Sequence, residues 1–111
     1  MESQSLPVVA TELLSAARAA SSGRGARTIY GGRDRALRQT LLALTAGNGL
    51  AEHESPGEAT LQVLAGRVRL TAGGDTWEGS AGDYVYIPVH RHSLEAIDDA
   101  VVLLTVVATM D

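Results

Sequence analysis

The strongest constraint on the fold is a series of short segments in which apolar and polar residues alternate, separated by turns that contain glycine. In the clearest example, residues 60–64 and 67–70 stand on either side of Ala65-Gly66. A two-residue period is typical of a half-buried strand, and two such runs around a glycine predict a β-hairpin. Similar segments follow at intervals of about 8 to 12 residues, which predicts an all-β chain closed into an antiparallel barrel or sandwich.

The first 35 residues have a different pattern and are expected to form an N-terminal helix and arm, in front of a barrel made by residues 36–111. Thr11 is a suitable cap for a helix from residue 12 to about residue 20, and residues 26–30 are a strand candidate. Residues 36–46 would also suit a helix, but glycine near both borders favours a strand. One of Arg38 and Gln39 must then face the barrel interior, because side chains alternate along a strand.

Composition excludes several classes of protein. A chain of 111 residues with a net charge of −4 is one domain and is not expected to bind nucleic acid. No segment has the roughly 20 apolar residues that span a membrane, and the N-terminus does not resemble a signal peptide, so a cytoplasmic location without membrane attachment is expected. The absence of cysteine excludes disulfides and thiolate metal sites.

Charge is distributed unevenly along the chain. Residues 1–40 contain six arginines and three acids, a net charge of +3, whereas residues 41–111 contain three arginines and ten acids, a net charge of −7. Two interpretations remain open. The arginine-rich segment is either a solvated surface, or it packs on the acidic barrel of its own chain or of a partner.

The stretch around the first strands resembles the first motif of the cupin family, in which a glycine precedes a His-x-His pair, a glutamate and a second glycine. Gly47, His53 and Gly66 fall on that spacing. Ser55 stands at the position of the second histidine and Ala59 at that of the glutamate. The resemblance implies a small single-domain cupin of the conserved-barrel type, an all-β jelly-roll or double-stranded β-helix with a short N-terminal helix.

A second cupin motif is also half present. Gly82 and Pro88 match, including the five residues between them, and His90 stands where the family has a glycine. If the loop is shortened by one residue, His92 occupies the position of the family's histidine, at the start of a strand. The asparagine that ends this motif is absent.

The family resemblance implies a metal site of three histidines and one glutamate, but only His53 and His92 remain at those positions. Two imidazoles alone would hold a divalent metal loosely. His90 could complete a three-histidine site because it lies two residues from His92, and a bulge near Pro56-Gly57 could turn Glu58 inward. We therefore expect no tightly bound cofactor; if one is bound, it should be Fe, Mn, Ni or Zn.

Two functions remain open, and no catalytic residue is identified. In the first, the barrel binds a small-molecule ligand without a full metal site, in a pocket that contains His53, Ser55, His92 and Gln39. In the alternative, the chain is a metal-dependent enzyme of the isomerase or dioxygenase type that uses His53 and His92, with or without His90 as a third histidine.

A homodimer is expected from three features: the uneven charge, the apolar last strand over residues 101–109, and an N-terminal segment too short to form its own core. The open edge beside residues 26–30 is the predicted site of strand addition. The N-terminal arginines would then lie near acids such as Asp98, Asp99 or Glu78.

Overall fold

Strands dominate the structure, as the alternating pattern predicts. The computed structural model describes residues 1–54 and 57–108. Within these ranges the chain forms one helix, α1 (Leu6–Ala19), and nine strands. The strands are β1 (Arg24–Tyr30), β2 (Leu37–Leu44), β3 (Gly49–His53), β4 (Ala59–Ala65), β5 (Arg67–Ala72), β6 (Asp75–Ser80), β7 (Tyr84–Tyr86), β8 (His92–Ala96) and β9 (Ala100–Val107).

The strands form two antiparallel sheets. Sheet A has the order β1-β2-β9-β4-β7, and sheet B has the order β3-β8-β5-β6. Strands that are distant in sequence are therefore neighbours, since β4 lies between β9 and β7. This is the jelly-roll arrangement of an all-β barrel, so the predicted fold class is confirmed. Residues 36–46, which were ambiguous, contain strand β2.

An aliphatic core lies between the two sheets. Alternate residues of each strand point into it, so Leu61 and Val63 of β4 are buried together with Val68 and Leu70 of β5. The other buried members of this core are Leu44, Ala59, Ile87, Leu94, Ala96, Ala100 and Val102. The chain has no Phe, and this core is accordingly built from Leu, Val, Ile and Ala.

The predicted hairpin around Gly66 is wrong. Strands β4 and β5 are consecutive in sequence but belong to different sheets. Gly66 has a φ of +76°, and a Cβ at this position would collide with the carbonyl oxygen of Asp99. Glycine is therefore required where the chain crosses from sheet A to sheet B. Alternation did not reveal the crossing, because both strands bury one face against the same core whether or not they pair.

Helix α1 begins earlier than predicted, at Leu6 rather than at residue 12. Ser5 is its N-cap, and the Ser5 Oγ accepts a hydrogen bond from the N–H of Val8. Pro7 lies in the first turn, where a missing N–H has no cost because no intrahelical acceptor is available there. Thr11, the predicted cap, lies inside the helix and donates its hydroxyl to the Pro7 carbonyl.

The helix packs on the outer face of sheet A and forms a second apolar core there. Val9, Leu13 and Ala17 of the helix are buried together with Leu41 and Ala43 of β2. The N-terminal segment also supplies β1, which pairs with β2 at the edge of the sheet. In the described part of the chain, no helix is long and apolar enough to cross a membrane.

Two of the N-terminal arginines pair with carboxylates of their own chain. The Arg18 Nε lies 2.9 Å from the Asp99 Oδ2, and the Arg27 Nη1 lies 3.2 Å from the Glu12 Oε2. The backbone N–H of Ala46, with a further contribution from Arg18, holds the pKa of the Asp99 carboxyl below its ordinary value. Arg18 thus contacts the acidic barrel of its own chain, whereas Arg27 pairs with a carboxylate inside the N-terminal segment itself.

Candidate functional site

The two histidines selected by the motif positions are brought together by strand pairing. His53 ends β3 and His92 begins β8, and the two residues are direct partners across the antiparallel pair. Their rings meet edge to face, with centroids 4.4 Å apart and an interplanar angle of 64°. His92 is buried, whereas His53 is exposed to solvent. The pair therefore connects the barrel interior to its mouth.

Each histidine is oriented by a backbone carbonyl two residues earlier. The His53 Nδ1 lies 2.9 Å from the oxygen of Ala51, and the His92 Nδ1 lies 3.0 Å from the oxygen of His90. A carbonyl oxygen can only accept a hydrogen bond, so both Nδ1 atoms are assigned the proton. In the neutral rings both Nε2 atoms then carry lone pairs, which can accept a hydrogen bond or bind a cation.

Below the pair lies a narrow apolar cavity. Its volume is about 30 Å³, comparable with the share of one water molecule in the liquid and far below the roughly 300–1,000 Å³ of typical ligand pockets. The described residues that line it with the histidines are Leu50, Leu61, Leu70, Ile87, Leu94 and Leu104. In this conformation a ligand would reach the histidines from the mouth and place only a small group inside.

A cluster of ion pairs connects the two segments that carry the histidines. The Arg91 Nε lies 3.2 Å from the Glu52 Oε1, and the Arg91 Nη1 lies 3.2 Å from the Glu54 Oε1. Hydrogen bonds to Glu52 and Glu54 raise the pKa of the Arg91 guanidinium above its ordinary value. This cluster was not predicted from the sequence. The sequence did contain a signal for it, because Glu52, Glu54 and Arg91 are sequence neighbours of His53 and His92. If the two histidines pair across antiparallel strands, their sequence neighbours also lie close together.

The proposed third ligands do not lie with the histidine pair. His90 is exposed and borders a groove of about 300 Å³ outside the barrel, together with Asp75 and Ser93. The hydrogen bond between His90 and His92 involves the backbone carbonyl of His90, not its imidazole. Glu58 is exposed. Ser55 lies outside the described residues.

The prediction that Gln39 lines the barrel pocket is corrected by the structure. Leu44 is buried in the inter-sheet core and Leu42 packs against it, and alternation places Gln39 on the opposite face of β2. The Gln39 Nε2 donates to the Thr105 Oγ1 at 3.2 Å, and the side chain lines an outer crevice beside Tyr30. Arg38 has the inward parity but is exposed near the start of the strand.

A metal site of three histidines and one glutamate does not fit the residues described. Among these residues, no group of three or more His, Cys, Asp or Glu side chains is placed to hold a metal ion. The position of the family's glutamate is taken by Ala59, which is buried and has no donor atom. The donor set near the cavity is therefore the two imidazoles.

Fold and site together define a small jelly-roll barrel with a pair of histidines at its mouth. The model of the family described as Cupin domain matches residues 40–108, which is more than half of the chain. The chain therefore belongs to the cupin family, as the motif spacing predicted. Its metal motifs are only half present.

Comparison with solved structures agrees with this assignment. A conserved protein of unknown function from Streptococcus pyogenes is similar over 83% of this chain and 80% of its own, with a TM-score of 0.73 and 26% identity. A cupin superfamily protein from Desulfitobacterium hafniense is similar over 78% of each chain, with a TM-score of 0.70 and 17% identity. KdgF from a Halomonas species is similar over 79% of this chain and 81% of its own, with a TM-score of 0.66 and 19% identity. No curated protein matches the chain.

Proposed function

We propose that the barrel mouth binds a small organic molecule with a hydrogen-bond donor, such as a hydroxyl or an amine, attached to an apolar body. The observation that carries this proposal is the histidine pair. Both Nδ1 atoms are occupied by carbonyls, so the Nε2 atoms of the neutral rings are acceptors beside an aliphatic cavity. An acceptor beside an apolar cavity favours a ligand that can donate to it, because a ligand that displaces water from the acceptor without replacing the hydrogen bond is penalised.

The size of the cavity limits how such a ligand would lie. A volume of about 30 Å³ admits one small group, so the donor would enter while the apolar body stays at the mouth or displaces a leucine side chain. His53 is exposed and gives access from solvent. Strand pairing places His53 opposite His92, and the exposed Arg91 ion pairs add a small stabilisation between the same segments, so the acceptor atoms would be in position before the ligand arrives.

Titration with phenol, followed by NMR of the histidine side chains, tests the proposal, with benzene as the matched probe that lacks a donor. We expect the His53 and His92 signals to shift with one common saturation curve for phenol, and benzene to bind more weakly. His53→Leu removes one acceptor and should weaken phenol binding by about fivefold, the effect of about 1 kcal/mol. His90→Gln is the control and should change nothing. A response from only one of the two paired histidines would contradict a shared site.

A metal-dependent enzyme is the second candidate, and one observation favours it. In both histidines, Nδ1–H donates to a backbone carbonyl and Nε2 keeps its lone pair. Histidines that bind metal ions typically have this arrangement. Because the described donor set is incomplete, we expect no stoichiometric Fe, Mn, Ni or Zn in protein purified without an affinity tag. Elemental analysis that finds about one such ion per chain, and its loss in His53→Ala, would favour the enzyme instead.

A further inference from the structure

A second small cavity lies at the seam of the barrel, where β6 and β7, edge strands of the two sheets, come together. Its volume is about 80 Å³, which is larger than the cavity beneath the two histidines. Its lining is largely apolar and includes Leu70, Ala72, Trp77 and Val85. Protein interiors contain few voids larger than a water molecule, so two such spaces in one small barrel mark a loosely filled region.

Leu70 is the one described residue that lines both the histidine cavity and the seam cavity. On β5 it pairs with Leu94 of β8 on one side and with Trp77 of β6 on the other. These three side chains pack into the inter-sheet core, so they form a row across the inner face of sheet B. Leu94 lines the histidine cavity and Trp77 lines the seam cavity. The Leu70 side chain therefore stands between the two spaces.

The histidine cavity is too small for a whole organic molecule while Leu70 keeps this position. Its volume is about 30 Å³, whereas a dry apolar cavity that binds benzene measures about 150 Å³. Leucine side chains occupy discrete staggered rotamers. A rotation of Leu70 toward Trp77 would place its methyl groups in the seam cavity and add the space they leave to the histidine cavity.

The other leucines around the histidine cavity are less suited to such a rotation. Leu50, Leu61, Leu94 and Leu104 line the histidine cavity but not the seam cavity. Movement of a side chain in a closely packed core forces its neighbours to move as well, unless a void lies beside it. Leu70 has that void next to it, so it is the leucine that can give way at the smallest cost.

We propose that Leu70 determines the size of the ligand that the histidine pair accepts, and that the seam cavity receives its side chain when the ligand enters. This inference rests on the proposed function, because it concerns the ligand bound at His53 and His92. It narrows that ligand to a hydrogen-bond donor on a compact apolar body, no larger than about one ring. A longer body would need more space than one leucine side chain leaves.

The position of Leu70 should also limit affinity. When a site is competent in only a fraction of the molecules, the apparent affinity falls by that fraction. If the open rotamer of Leu70 has a population of about 10% or less, as minor states commonly do, Leu70→Ala should bind phenol at least about tenfold more tightly. Leu44→Ala is the matched control. It shortens a buried leucine of the same core that lines neither cavity, and it should leave phenol affinity unchanged.

Titration with phenol, followed by NMR of the histidines and of the Trp77 indole, tests the proposal. Trp77 is the only tryptophan of the chain, so its signal is unambiguous. In the wild type, the Trp77 signal should shift with the same saturation curve as the histidine signals, because Leu70 turns against the indole. Val85→Phe fills the seam cavity from the opposite sheet without changing the lining of the histidine cavity. It should weaken phenol binding by about tenfold, because the open rotamer loses its space.

Both Leu70→Ala and Val85→Phe alter the packed core, so circular dichroism must show that they fold. Leu70→Val is the milder replacement if Leu70→Ala does not fold, and it should tighten phenol binding by a smaller factor. Histidine signals that respond to phenol, with no response at Trp77 and wild-type affinity in the Leu70 and Val85 variants, would overturn the role of Leu70 and leave the proposed function intact.

The opposite failure is recognised in the same titration. Wild-type histidines that do not respond to phenol would contradict the proposed function, and the shortened Leu70 variant would then decide on the role of Leu70. Binding of phenol or benzene by that variant alone would support a side chain that closes the cavity. Binding of neither probe by the variant would overturn this inference as well.

Discussion

The outer faces of the two sheets differ in what covers their outward-pointing side chains. Sheet A buries apolar residues under a helix: Leu41 and Ala43 of β2 and Ala17 of α1 are fully buried. Sheet B exposes its outer face and crosses it with ion pairs, in which Arg69 lies 3.0 Å from Glu78 on β6 and 3.8 Å from Glu95 on β8. The two faces have the same strand geometry, so the residues at outward positions decide which face acquires a second layer.

The two outer faces are also expected to contribute to different properties, one mainly to stability and the other mainly to solubility. Complete burial of one Leu side chain contributes about 1.5–3 kcal/mol, whereas an exposed ion pair contributes about 0–1 kcal/mol. Of the two outer faces, the helix-covered one should therefore contribute more to the free energy of unfolding, and the charged one should mainly keep the protein dispersed. Four substitutions test this comparison.

The largest effect is expected at Leu41, which is buried beneath the helix. Leu41→Ala leaves a cavity and removes apolar contacts, so the free energy of unfolding should fall by about 2–5 kcal/mol. Urea denaturation measures this change. Thr71→Ala on the outer face of sheet B is the matched control and should change stability by less than about 0.5 kcal/mol. Equal losses at the two positions would show that the faces do not differ.

A smaller effect is expected at the helix N-terminus. Ser5→Ala removes the oxygen that accepts the Val8 N–H and should reduce the free energy of unfolding by about 0.5–2 kcal/mol. Ser5→Asp restores an acceptor and should recover most of the loss. If both variants match the wild type in urea denaturation, the first turn of the helix does not contribute to the stability of sheet A.

On sheet B the expected effect is smaller again. Arg69→Ala breaks the contacts with Glu78 and Glu95, all of them partly exposed, and should cost about 0–1 kcal/mol. Whatever loss appears should shrink in 1 M salt, where the screening length is about 3 Å. A loss as large as that of Leu41→Ala, or one insensitive to salt, would contradict the division between the faces.

The smallest effect concerns acid, at the Asp99 contact between the helix and the barrel turns. The pKa of the folded Asp99 is lowered from 3.8 by the Ala46 N–H and by Arg18. Its stabilising contribution is thus present above that value and is lost as the pH falls through the lower folded pKa. Comparison of Asp99→Asn with the wild type by thermal unfolding should show a deficit at pH 7 that narrows near pH 3. A stability deficit that widens in acid would contradict a lowered pKa of Asp99 in the folded protein.

Much of the site followed from motif spacing, and the parts that did not have a common cause. His53 and His92 were selected from the sequence and do meet, because their strands are neighbours in sheet B. Gln39 was assigned to the wrong face of β2. Alternation divides the residues of a strand into two sets but does not say which set faces the other sheet. Arg91 was overlooked because its partners, Glu52 and Glu54, lie almost forty residues earlier in the chain.

The strand segments of the barrel follow from the amino-acid sequence alone, since alternation and glycine turns are local properties that act on a few residues at a time. Tertiary structure decided which strands pair. The run around Gly66 has the alternation of a hairpin, but β4 pairs with β9 and β7 while β5 pairs with β6 and β8. Local pattern cannot distinguish these pairings, because each strand buries the same face in either case. The helix likewise depends on tertiary contacts: it extends back to Leu6 and packs on β2, where an uncharged outer face provides the apolar surface that a short amphipathic helix needs for stability.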